Sequence, residues 1–72
     1  MRVMDEKKVK ALRKRYPAGR KVRLIHMDDT QAPPAGTTGE VIMVDDIGTI
    51  HIGWETGSSL GVIPGVDNIE II

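Results

Sequence analysis

Apolar and polar positions along the chain follow two different periods, and the change comes near residue 17. Over residues 5–16 the apolar residues Val9, Leu12 and Tyr16 recur at intervals of three and four, the spacing of one face of a helix. Asp5 is placed to cap that helix. Asp5 and Glu6 bring negative charge to its positive end, while Lys14 and Arg15 bring positive charge to its negative end. Glu6 and Lys10 are spaced i,i+4 in the favourable order, and Pro17 ends the run. A helix this short is marginal alone in water, so its apolar stripe needs a surface to cover it.

Beyond Gly19 the period becomes two. Lys21–Met27 alternates, with Val22 and Leu24 on one face, and reads as a first strand. The segment from Asp28 to Gly36 carries two aspartates, two prolines and a glycine and reads as a long loop. Glu40–Val44, Thr49–Trp54, Ser59–Ile63 and Ile69–Ile72 read as four more strands. They are separated by turn chemistry at Asp45-Asp46-Ile47-Gly48, at Thr56-Gly57-Ser58 and at Pro64–Asn68, the last suiting a single helical turn. Gly39 would permit a sharp bend. A long loop, two tight hairpins, a one-turn break and a final strand form the SH3-like pattern. The expected fold is therefore mainly β: a small five-stranded SH3-like barrel (residues 17–72) with one basic N-terminal α-helix (residues 1–16). An OB-fold would need a helix between its third and fourth strands, and residues 55–58 leave no room for one. The expected core is Val22, Leu24, Val41, Ile50, Ile52, Trp54, Leu60, Ile69 and Ile71.

Parts of this pattern resemble a known family. Val44-Asp45-Asp46-Ile47-Gly48-Thr49-Ile50-His51-Ile52-Gly53-Trp54, then Gly57-Ser58-Ser59-Leu60-Gly61 and Ile63-Pro64-Gly65, are similar to the family called domain of unknown function 4314. Val22-Arg23-Leu24, Met27-Asp28-Asp29 and Pro33-Pro34-Ala35-Gly36-Thr37 fit the same pattern. The resemblance runs over residues 17–72. It implies a small barrel carried by bacteria, phages and mobile elements, and it supplies no catalytic residue.

Seventy-two residues make one domain. Without cysteine, neither a disulfide framework nor a thiolate metal site can supplement a small core. No apolar run is long enough to span a bilayer, and the basic N-terminus lacks the apolar stretch of a signal peptide, so a cytoplasmic protein without a membrane partner is expected.

The net charge of zero hides a division. Residues 1–23 hold all ten Lys and Arg against two acids, a net +8. Residues 24–72 hold eight acids and no Lys or Arg, a net −8.

Most constellations that could carry chemistry have a simpler reading. His26 and His51 lack a third ligand at metal-binding spacing, and Asp28-Asp29 and Asp45-Asp46 lack the regular oxygens of a calcium loop. Ser58 and Ser59 have no nucleophile elbow, and Gly36-Thr37-Thr38-Gly39 lacks the Lys of a phosphate loop. With one Trp and one Tyr there is no aromatic groove for a proline-rich peptide, and Trp54 belongs to the apolar face. The expectation is a non-enzymatic binding or adaptor module with no catalytic residue, metal, cofactor or small-molecule substrate. Protein–protein association is the first expectation, with a partner or with a second copy, through Val9, Leu12 and Tyr16 and the barrel edges. Nucleic-acid binding is the alternative, with duplex DNA or structured RNA, through Lys7, Lys8, Lys10, Arg13, Lys14, Arg15, Arg20, Lys21 and Arg23. Pairing of those bases with the acidic barrel would compete with it.

Overall fold

The computed structural model describes residues 5–72. In chain order it contains α1 (Glu6–Arg15), β1 (Lys21–His26), β2 (Thr38–Val44), β3 (Ile50–Trp54) and β4 (Asn68–Ile71). The strands form one antiparallel sheet in the order β3-β2-β1-β4.

The helix starts as its sequence requires. Asp5 Oδ1 accepts a hydrogen bond from the Lys7 amide at 2.9 Å, satisfying one of the free N–H groups of the first turn. At the other end the Tyr16 amide bonds the Leu12 carbonyl at 2.7 Å before Pro17. Val9 and Tyr16 are buried and Leu12 is half-buried, all packed into the cluster formed by the strands. The stripe is thus covered by the chain's own sheet.

The β2–β3 connection follows the expected turn chemistry. Asp45 Oδ1 accepts from the amides of Ile47 (3.1 Å) and Thr49 (2.9 Å), and Gly48 takes φ 86° to close the turn on the Asp45 carbonyl. Register shifts occur between Val41 and Met43 of β2 and between Leu24 and His26 of β1. Gly39 does not mark a shift. A Cβ there would lie 2.8 Å from both the Gly53 carbonyl oxygen and Ile52 Cγ2, so its role is close packing against β3.

The expected five-stranded barrel is corrected in one element: among the described residues there are four strands and the sheet is not closed. The segment expected as a fourth strand, Ser59–Ile63, is reduced to a single bridge between Val62 and Ile50, with amide–carbonyl bonds of 2.8 and 2.9 Å. The reason lies in Leu60. Its amide donates to Ser58 Oγ, which spends its one donor inside the turn, and its carbonyl is turned to the Trp54 indole Nε1 at 3.0 Å. Pro64 lacks an N–H to continue one.

The core corrects in step. Val22, Leu24, Val41, Ile50, Ile52 and Trp54 are buried, while Leu60, Ile69 and Ile71 are only half-buried. Val9, Tyr16, Val44 and Val62 complete it. Among the described residues no helix is long and apolar enough to cross a membrane.

Candidate binding surface

The nine basic residues between Lys7 and Arg23 do not share one fate. Arg13 is tied down: its Nε donates to the Val44 carbonyl at 3.2 Å and its guanidinium pairs with Asp46 Oδ1 at 2.8 Å. Arg23 faces its register partner Glu70 across β1 and β4, with the charges 3.0 Å apart. The other seven, Lys7, Lys8, Lys10, Lys14, Arg15, Arg20 and Lys21, are exposed and have no acidic partner among the described residues. Arg15 lies over the Tyr16 ring, 5.6 Å from its centroid.

Because Val9 and Tyr16 hold one side of α1 against the core, helical geometry sends Lys7, Lys8, Lys10, Lys14 and Arg15 to the other side. Arg20 lies just before β1, its carbonyl fixed by the Val41 amide at 2.8 Å, while Lys21 stands across from Glu40 on the sheet face turned away from α1. The structure therefore gathers five of the nine expected basic residues on the exposed side of α1, separates Arg13, Lys21 and Arg23 from them, and uses Val9, Leu12 and Tyr16 inside the chain.

The histidines do not converge. His51 Nε2 and Asp45 Oδ2 hydrogen-bond at 2.8 Å, while His26 is exposed at the end of β1. The bond to His51, joined by those from the Thr49 and Ile47 amides, holds the Asp45 carboxyl below its ordinary value despite its partial burial. Among the described residues no group of three His, Cys, Asp or Glu is placed to hold a metal. Asp29 caps the Gln31 amide at 2.8 Å, which is turn chemistry.

Two open grooves adjoin these elements. One, of about 320 Å³, lies between α1 and Pro64, with Ala11 and Leu12 as its apolar wall and Lys8 and Arg15 at its rim. The other, of about 510 Å³, lies on the sheet face turned away from α1 and is lined by Lys21, Thr38, Glu40, Ile42, Gly53, Glu55 and Ile72 together with Gly39 and Val41. Sequence reasoning passed over this second groove. The signal that could have found it was a glycine inside a strand.

A family model, described as domain of unknown function (DUF4314), matches residues 5–72. The chain belongs to the DUF4314 family. The match takes in α1 as well as the strands, so the DUF4314 region begins earlier than the motifs from residue 17 onward suggested. That extension agrees with the packing, since Val9 and Tyr16 belong to the same core as the strands of this DUF4314 domain. No curated protein and no solved structure matches the chain.

Proposed function

We propose that this DUF4314 domain is a non-catalytic binding module of SH3-like topology that holds the phosphate backbone of duplex DNA or structured RNA on the exposed side of α1. The topological part rests on connectivity. Counting the Val62 bridge, the order is 62-β3-β2-β1-β4, a meander whose last strand returns to pair with its first. The Ile63 carbonyl accepts from both Val66 and Asp67 amides, making a single turn before that last strand.

The functional part rests on one observation. Five cations on the exposed side of a firmly docked helix, Lys7, Lys8, Lys10, Lys14 and Arg15, have no acidic partner among the described residues. Had the basic segment evolved to neutralise the acidic strands, pairs such as Arg13–Asp46 would be the rule along it. The acids on the strands do not cancel the reading. Glu40 and Glu70 alternate to the sheet face opposite α1, and the molecule extends over 31 × 26 × 17 Å. Charges beyond about 8 Å of a phosphate are largely screened at physiological salt.

Protein–protein association is the second reading. Its expected stripe, Val9, Leu12 and Tyr16, is engaged within the chain, so association would use other surfaces. Fluorescence anisotropy of labelled duplex DNA and hairpin RNA at two salt concentrations tests the first reading. Binding that weakens steeply with salt is expected. No binding at low salt would defeat it.

A further inference from the structure

Every glycine in this chain but one has a visible reason to be glycine. Gly19, Gly36, Gly48, Gly57 and Gly65 have positive φ. Gly39 is packed against β3, and a Cβ at Gly61 would lie 2.6 Å from Thr49 Cγ2. Gly53 is different. Its φ is not in the positive range, it stands in regular register opposite Glu40, and the nearest atom to an added Cβ would be Ile42 Cδ1 at 3.7 Å, an ordinary van der Waals distance. A glycine inside a strand weakens it and leaves no side chain to pack, and such residues often mark close approach by another backbone or a ligand. Nothing in the fold of one chain requires this one.

Gly53 lines the groove of about 510 Å³. The side chains of Ile42 and Ile72, 55% and 51% exposed, stand at this groove with no cover. Its ionisable groups carry both signs: Lys21, Glu40 and Glu55. The patch sets two carboxylates against one amine, and a second copy brings an amine that can meet a carboxylate of the first. In a two-fold arrangement, Lys21 of one copy would face Glu55 of the other, and the isoleucines of each would pack over the bare backbone at Gly53.

We propose that the groove around Gly53 is the interface through which two copies of this chain associate, sheet face to sheet face. The proposal does not depend on what α1 binds. It would leave both basic helices pointing outward, so that the dimer offers two cationic faces to one long anionic partner.

Sedimentation velocity over a wide concentration range tests it on the full chain, with no nucleic acid present. The wild type is expected to move from one-chain to two-chain mass as concentration rises. Gly53→Val, which fills the groove with a residue suited to strands, is expected to raise the dimer Kd by about tenfold or more while keeping the same circular dichroism spectrum. Should that variant misfold, Lys21→Glu alone is expected to weaken the dimer and Lys21→Glu with Glu55→Lys to restore it. A wild type that stays monomeric throughout overturns the proposal. So does a dimer indifferent to Gly53→Val in its folded form and to the charge reversal.

Discussion

Arg13 and Asp46, thirty-three residues apart, join the helix to the β2–β3 turn through a 2.8 Å ion pair, while the same guanidinium group donates to the Val44 carbonyl. The two partners are unequal. The Asp46 side chain is 98% exposed and does nothing else, whereas Arg13 is about half covered and satisfies a backbone carbonyl at 3.2 Å. Replacing Asp46 by Ala is therefore expected to cost less than about 0.5 kcal/mol, the range of exposed pairs. Arg13→Ala also loses the carbonyl bond and the packing of its stem and should cost about 1 kcal/mol. Urea unfolding of both variants checks the order, and an equal loss from each would mean that the ion pair alone ties the helix to the turn.

Asp45 gives the pH dependence. Its carboxyl is held below the ordinary value of 3.8 by the bond to His51 and the amides of Thr49 and Ile47. A carboxylate with a depressed folded-state pKa stabilises the fold at pH above its unfolded value, and that contribution disappears as pH falls through the lower folded value. Stability should decline on acidification below about pH 4, and Asp45→Asn should flatten the part of that decline due to this turn. Asp45→Ala, which removes both amide bonds and the His51 bond, is expected to cost about 2 kcal/mol at neutral pH. Thermal unfolding of the wild type and both variants from about pH 2 to 7 measures all three effects.

The same strands carry a contrast between two glycines. Gly39→Ala would drive its Cβ to 2.8 Å from a backbone oxygen that cannot move aside, and should destabilise by about 2 kcal/mol or more. Gly53→Ala has room, and is expected to leave stability unchanged or raise it by about 0.5 kcal/mol. Denaturation should be compared at concentrations low enough to keep the chain monomeric. Similar losses in both variants would show that Gly53 is needed by the fold itself and would remove the first premise of the dimer interface.

How far the sequence alone reveals the structure depends on the range of the interactions. The α1 boundaries follow from Asp5 and Pro17, and the Asp45 turn from Asp45 and Gly48, because caps and turns involve residues a few positions apart. Val9, Leu12 and Tyr16 announce a buried stripe, yet spacing does not say what covers it. Ser59–Ile63 alternates like a strand, and alternation cannot reveal that the Leu60 carbonyl is turned to the Trp54 indole. Similarly, a balance of +8 against −8 suggests mutual pairing, although the pairing depends on where the acids stand in the sheet. Only Arg13 and Arg23 find carboxylates among the described residues. The groove at Gly53 is the least legible feature, since the space beside an outward-facing residue is set by neighbours on other strands.

The helix surface yields the most direct functional test. Lys7, Lys8, Lys10 and Lys14 are exposed and outside the core, so changing all four to Ala should leave folding intact while removing charge from one face of α1. If these side chains neutralise phosphates, the variant should bind duplex DNA more weakly, and by a similar factor on duplexes of unrelated sequence. The slope of log K against log salt should also become shallower, by about 0.9 for each phosphate that is no longer neutralised. Arg13 is left in place because its bonds to Val44 and Asp46 hold the helix to the turn. Affinity and salt slope both unchanged in the folded variant would place any nucleic-acid binding elsewhere. A weaker affinity with an unchanged slope would show that the lysines act on something other than counterion release.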